Sequence, residues 1–126
     1  LTLPEHFSKD NIRCVGRLPY SEVIEKYAES TLIFPSYIET FGFPMAEARK
    51  VGTIVLASDC PFSREVLDGY ENAYFFDPFK PEELAHLMER VITGSIEKKL
   101  LTTQEPGCTN SWQQILEEVI NFKHAI

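Results

Sequence analysis

The sequence predicts an α/β fold, a parallel sheet flanked by helices. Short apolar runs of strand length occur at residues 32–34, 54–57 and 73–76, and turn-forming residues separate them from their neighbours. Between the runs, apolar residues recur at helical spacing, which gives the order strand, loop, helix, strand. The run at 54–57 is apolar throughout, as expected for a parallel strand that is buried on both faces.

The first part of the chain is predicted to form a strand, a helix and a second strand. Residues 12–15 are a short apolar run that ends at Gly16, which indicates a strand. Ser21 is a good N-cap for the helix that follows, and residues 32–34 are predicted to form the next strand, which is expected to be buried. The apolar residues of this helix are expected to face the sheet: Val23, Ile24, Tyr27 and Ala28.

Beyond the strand at residues 73–76, the pattern predicts two more helices. Glu82 and Glu83 occupy the first turn of one of them, where acids are favoured. Its apolar face would consist of Leu84, Leu87, Met88, Val91 and Ile92. Asn110 and Ser111 cap a tail helix, at residues 108–126, with an apolar face of Trp112, Ile115, Leu116, Val119 and Ile120.

Composition excludes several classes of partner. The 126 residues include 12 basic and 19 acidic ones, for a net charge of −7, and the basic residues are scattered, so nucleic acid is not expected as a partner. The acidic balance also argues against a membrane-surface anchor in this chain. No apolar run approaches membrane-spanning length and no signal peptide opens the chain, so a cytoplasmic setting is expected.

Cysteine and histidine spacing predicts neither disulfides nor a metal site. Cys14, Cys60 and Cys108 are odd in number and far apart, which favours reduced, buried thiols. The three histidines have no metal-like spacing to acids or thiols, so no metal and no cofactor are expected.

Residues 41–44 form a turn that is suited to begin the central helix. Gly42 permits close backbone approach, and Pro44 suits the first helical positions, where its missing N–H costs nothing. The helix is therefore predicted to begin near Phe43 or Pro44. Free N–H groups at a helix N-terminus favour an anion such as a phosphate, which makes a diphosphate a candidate ligand.

Two glutamates flank this turn. Glu39 lies on the loop before the helix and Glu47 about one turn inside it, so both are expected to border the same hollow beyond the carboxyl ends of the strands. Carboxylates hold sugar hydroxyls through charge-assisted hydrogen bonds. The structural alternative is that Glu47 only favours the first helical turn and Glu39 is a solvated loop charge.

Two other segments have competing interpretations. Residues 59–65 follow a strand and could approach a ligand, but Arg64 and Glu65 could equally pair with each other or cap a short helix. Residues 75–78 are predicted to be core aromatics followed by a turn, and the alternative is a platform on which a ligand stacks.

From residue 11 to 84, the chain resembles the second half of the C-terminal domain of retaining GT-B glycosyltransferases, the group-one family that uses nucleotide-sugar donors. The resemblance implies a Rossmann-like sheet, with the active site in a cleft between two such domains. The matching segments keep their order: residues 15–19, 27–28, 34–36, 39–47, 52, 57–59, 64–67, 75–78 and 81–85.

Carried over residue by residue, the resemblance implies a donor site. Glu47 would hold the ribose hydroxyls of the nucleotide, and Glu39, the candidate catalytic residue, would lie against the donor sugar. The turn Phe41, Gly42, Phe43 and Pro44 would contact sugar or diphosphate oxygens through backbone N–H groups. The loop containing Arg17 and Leu18 would contact the base.

The resemblance also implies that the chain is one donor-binding domain, residues 1–126, of a longer enzyme and is truncated on its N-terminal side. Such an enzyme transfers a sugar with retention, without a metal, to a glycan or lipid-linked acceptor held by another domain. The chain alone is expected to be inactive, because positive groups that stabilise the departing diphosphate would lie upstream. The alternative is a nucleotide-binding or regulatory module that transfers nothing.

Overall fold

A computed structural model describes residues 11–39 and 41–100 of the chain. Within them, three parallel strands form one sheet in the order β1 (Leu32–Phe34), β2 (Val55–Ser58) and β3 (Ala73–Phe76). In the register of the sheet, Leu32 pairs with Val55, and Val55 pairs with Ala73 on its other side. The predicted parallel sheet is therefore confirmed, but the prediction that β1 is buried is wrong, because Ile33 is 37% exposed.

Helices connect and flank these strands. They are α1 (Tyr20–Glu29), α2 (Phe43–Val51), α3 (Pro61–Val66) and α4 (Pro81–Ile92). The central helix α2 begins at Phe43, as predicted. The alternation of strands and helices fits an α/β Rossmann-like fold.

The sheet separates two apolar clusters, because successive residues of a strand point to opposite faces. On one face, Val55 and Ala57 pack with Met45 of α2 and with Tyr70. On the other face, Leu56 packs with Ile54, Phe76, Leu87 of α4 and Ile96. The central strand β2 is buried on both faces, as its continuous apolar sequence predicts.

Buried polar groups tie the amino ends of the strands together. Asn72, fully buried just before β3, donates through Nδ2 to the carbonyl of Gly52 at 3.2 Å and to that of Lys99 at 2.9 Å. The N–H of Lys99 returns a 2.8 Å hydrogen bond to the amide oxygen of Asn72. A buried amide that has its hydrogen-bond partners stabilises the fold. Asn72 therefore fixes the amino ends of the strands. The loops at the carboxyl ends are not needed for this role and can form a site.

The region before α1 differs from the prediction. Residues 12–15 do not form a strand. Ile12 and Val15 are 37% and 54% exposed, so the burial that would stabilise a strand there is missing. The helix α1 begins at Tyr20 and not after Ser21, because the carbonyl of Pro19 already accepts from the N–H groups of Glu22 and Val23 in the first helical turn.

The face of α1 also differs from the prediction. Val23 and Ile24 are only half-buried and Ala28 is exposed. Tyr27 packs against the cluster that contains Met45 of α2. α1 therefore lies mainly on α2, and the sheet beneath is already covered by α2.

Two smaller corrections concern β2 and α4. The strand β2 begins at Val55, one residue after the predicted start, and extends to Ser58. In α4, Leu84 and Val91 pack beside Leu87, but Met88 and Ile92 are 38% and 82% exposed, since they lie on the side of the helix that turns away from the sheet. The predicted tail helix and Cys108 lie outside the described residues.

Candidate functional site

The turn between β1 and α2 depends on Gly42. This residue is the N-cap of α2 and has a left-handed backbone with φ 73°, a conformation that favours glycine. A Cβ atom at Gly42 would lie 2.6 Å from Cε of Met45, and two ring carbons of Phe62 are within 4 Å. The space beside Gly42 is thus filled by the core, so the glycine is needed for packing and backbone shape. The predicted role of admitting a ligand stays a prediction.

The first turn of α2 uses some of its own N–H groups. Those of Met45 and Ala46 donate to the carbonyl of Gly42 at 3.1 and 3.3 Å, and Pro44 has none. These three positions of α2 therefore offer no N–H group to an anion. The rings of Phe41 and Phe43 lie 4.5 Å apart, with Phe41 packed against the core, which holds this segment in place.

Glu47 is the most unusual acid of the described chain. It lies on the second turn of α2 and is only 4% exposed. The hydroxyl of Tyr27 on α1 donates to Oε2 of Glu47 at 3.2 Å. A buried carboxylate is costly unless hydrogen bonds compensate it. Its burial between two helices argues against the alternative that Glu47 is only a favourable surface charge.

Two phenols adjoin this carboxylate. Burial first, and then the charge and hydrogen bond of Glu47, raise the pKa of Tyr27 well above its usual range. Burial and the charge of Glu47 also raise the pKa of Tyr20, the first residue of α1. Both phenols therefore stay protonated at neutral pH, and Tyr27 remains a hydrogen-bond donor to the carboxylate.

The other predicted site residues lie on the loop after β1 and on the loop before α1. Glu39 is exposed on the loop after β1, so the two glutamates differ in environment. Arg17 is exposed and Leu18 half-buried in the loop just before α1. The helix α1 thus connects the loop of Arg17 and Leu18 to the carboxylate of Glu47.

Tyr20 and Tyr27 were not predicted as site residues. Tyr27 was assigned to an apolar helix face, and its ring does pack against the core. A signal was present, because the hydroxyl of a tyrosine on a buried face needs a hydrogen-bond partner. The identity of the partner was not readable, since 20 residues separate the two side chains along the chain.

At the carboxyl ends of β2 and β3, Arg64 forms two hydrogen bonds with Asp59, at 2.8 and 2.9 Å. Its guanidinium also lies 3.9 Å from the ring centre of Phe75. Of the two structural alternatives for this segment, the pair of Arg64 with Glu65 is therefore wrong, whereas a short helix, α3, does form there. The hydrogen bond from Arg64 lowers the pKa of Asp59. An exposed pair of this kind contributes little stability.

The thiols have different environments. Cys60 is buried at the start of α3, and burial, with the charges of Asp59 and Asp77, raises its thiol pKa. Cys14 is exposed, so the prediction of a buried thiol is wrong there, for the same reason that the strand at residues 12–15 is missing. In the part of the chain that the structure describes, no three histidine, cysteine or acidic residues are grouped as metal ligands.

A Rossmann-like sheet with polar side chains gathered beyond the carboxyl ends of its strands is the architecture of a ligand-binding α/β protein. A sequence model of the family described as glycosyl transferases group 1 matches residues 4–104. The chain therefore belongs to the group 1 glycosyltransferases, as its motifs predicted, and glycosyl transfer is the activity of its class. Comparisons with curated proteins and with solved structures found no match. Among residues 11–39 and 41–100, no helix is long and apolar enough to cross a membrane.

Proposed function

We propose that this chain is the nucleotide-sugar-binding, C-terminal part of a retaining GT-B glycosyltransferase. The observation that carries the proposal is the buried carboxylate of Glu47 on α2, held by Tyr27 beside the turn at residues 41–44. A carboxylate buried at the ligand-binding edge of a Rossmann-like sheet suits a hydroxyl-rich ligand, because sugar hydroxyls can replace the hydrogen bonds to water that the carboxylate has lost.

Each predicted residue has a role in this proposal. Glu47 binds the ribose hydroxyls, and the exposed Glu39 lies against the donor sugar. Backbone N–H groups of residues 41–43 bind diphosphate or sugar oxygens, supported by the positive end of the α2 dipole. The loop of Arg17 and Leu18 borders the base, since α1 joins that loop to Glu47.

The acceptor, a sugar or lipid-linked glycan, binds on a separate domain in this proposal, and any membrane contact is made there too. The full-length enzyme then acts in the cytoplasm or at the inner face of a membrane, without a metal. Little turnover is expected of the present chain alone, because catalysis requires donor and acceptor to be held together.

Titration calorimetry of the 126-residue chain with UDP, GDP, ADP and CDP tests the donor site. We expect saturable binding of one of them, weakened roughly tenfold or more by Glu47→Gln, because a hydrogen bond to a charged group contributes about 1.5–3 kcal/mol. Glu25→Gln, at an exposed position of α1, is the matched control and should leave the affinity unchanged.

Two results would contradict the proposal. Equal affinities for the native chain and Glu47→Gln would remove the ribose role of Glu47. If a chain that circular dichroism shows to be folded bound none of the four nucleotides, it would not contain a donor site.

A further inference from the structure

The hydrogen bond between Tyr27 and Glu47 indicates a second, indirect determinant of specificity. We propose that Tyr27 is a positioning residue that orients the carboxylate of Glu47, and thereby sets how strongly the site prefers ribose to deoxyribose. This inference rests on the proposed function, because it assumes that Glu47 faces the ribose.

The backbone of Tyr27 is fixed from the core. The hydroxyl of Thr53, which is fully buried, donates to the carbonyl of Tyr27. The carbonyl of Thr53 in turn accepts a 2.6 Å hydrogen bond from the hydroxyl of Tyr70. The backbone that carries the phenol of Tyr27 is therefore fixed to Thr53, which lies just before the central strand β2.

The carboxylate of Glu47 receives its orientation from this phenol. Glutamate has three side-chain torsions, and the last one is broad, so burial alone leaves the plane of the carboxylate poorly defined. The hydrogen bond from Tyr27 to Oε2 restricts that rotation. A carboxylate offers about four acceptor positions on its two oxygens, so the phenol occupies only part of this capacity.

Orientation matters most for a ligand that uses both oxygens. The adjacent 2′ and 3′ hydroxyls of ribose can engage a carboxylate together, and this requires its plane to be fixed. A 2′-deoxyribose has only one of these hydroxyls and tolerates a rotated carboxylate. Loss of the Tyr27 hydroxyl should therefore weaken the ribonucleotide more than its deoxy counterpart.

The test compares Tyr27→Phe with the native chain. Calorimetry or fluorescence titration gives affinities for UDP, GDP and ADP, and each is compared with its own 2′-deoxy form. The native chain should prefer the ribose form of its best ligand by roughly tenfold, about one charge-assisted hydrogen bond. In Tyr27→Phe this ratio should fall toward unity, with most of the change in the affinity for the ribose form.

Tyr74→Phe is the matched control, because it removes the same atom from a half-buried tyrosine that packs against the cluster on the other face of the sheet. It should leave the ribose-to-deoxyribose ratio at the native value. A Tyr27→Phe chain that weakened both forms equally would show a merely structural role and overturn the proposal.

Failure of the inference and failure of the proposed function give different results. If Glu47→Gln removes the ribose preference but Tyr27→Phe keeps it, only the positioning role is wrong. If the native chain has no ribose preference, the ribose role of Glu47 is wrong as well. Should Tyr27→Phe not fold, Glu47→Asp keeps the charge but withdraws the carboxylate from Tyr27. An unchanged ratio in Glu47→Asp would equally overturn the positioning role.

Discussion

Gly42 combines two local constraints in one residue. Its φ of 73° disfavours any L side chain, and the position of its missing Cβ is already taken by the end of Met45, which is fully buried. A methionine terminus is flexible, but a close-packed core leaves it few alternative positions. The start of α2, and with it the placement of Glu47, therefore depends on this glycine.

The substitution Gly42→Ala should lower the free energy of unfolding. The left-handed backbone alone costs about 1–2 kcal/mol with a Cβ, and displacing Met45 should add about 1 kcal/mol or more. Urea denaturation measures the loss. Gly94→Ala is the control, since Gly94 has φ 82° but nothing within 4 Å of its Cβ position, so it should lose only the backbone contribution. Equal losses in the two variants would show that the contact with Met45 has no energetic effect.

Among the helices that the structure describes, α1 is the least buried. None of its residues is fully buried, and its connections to the rest include the Tyr27 hydroxyl on Glu47 and the Tyr27 carbonyl on Thr53. A helix held by a few polar contacts opens more easily than one buried in a core. The position of α1 is thus sensitive to single hydrogen bonds.

Thr53→Val tests that dependence, because it keeps the shape of the side chain and removes the hydroxyl. The carbonyl of Tyr27 would lose a buried partner, at a cost of about 1–3 kcal/mol. Hydrogen exchange followed by mass spectrometry compares this variant with the native chain. The substitution should accelerate exchange more in Tyr20–Glu29 than in Pro81–Ile92. Thr93→Val, at an exposed position at the end of α4, should leave α1 unchanged. Uniform acceleration in both helices would mean that Thr53 supports the whole fold and not α1 in particular.

The elements themselves were largely readable from local patterns. Residues 32–34 and 73–76 were predicted with the bounds of β1 and β3, because each is a short apolar run between turn residues. The run at residues 12–15 has the same local pattern but no burial, and a pattern does not state whether a neighbouring strand exists. Ile92 was wrongly assigned to the buried face of α4 for a similar reason. Helical spacing predicts which side of a helix is apolar, but not how much of that side is covered by the core.

At the scale of the whole molecule, the two ends of the sheet have different roles. The amino ends are joined by Asn72, whose hydrogen bonds connect residues up to 27 positions apart. The carboxyl ends have the turn before α2 and the Asp59–Arg64 pair. The turn at residues 41–44 and Glu47 could be proposed as parts of a candidate site from the sequence, since they are close together along the chain. Tyr20 and Tyr27 could not be proposed in this way, because only the packing of α1 on α2 brings them to the carboxylate.

Buried phenols should make the folded state sensitive to alkaline pH. Burial raises the pKa of Tyr70 to about 12, and the pKa of Tyr27 is also raised, whereas an unfolded phenol titrates near about 10. Their contribution is fully present below about pH 10 and is lost as pH rises toward about 12, because the unfolded chain then releases protons that the folded chain retains.

Thermal denaturation between about pH 9 and 11 measures this effect. The melting temperature of Tyr70→Phe should fall less steeply with pH than that of the native chain. Tyr37→Phe, which changes a tyrosine that is 49% exposed, is the control and should keep the native slope. Parallel curves for all three chains would exclude a contribution from Tyr70.

The contrast between Cys14 and Cys60 provides a way to observe the loop before α1 directly. Cys14 is exposed and lies three positions before Arg17, whereas the thiol of Cys60 is buried and has a raised pKa, so it forms the reactive thiolate less readily. With Cys108 replaced by serine, a maleimide dye should attach selectively at Cys14. A fluorophore there would report, in real time, whether this loop responds when a nucleotide is added.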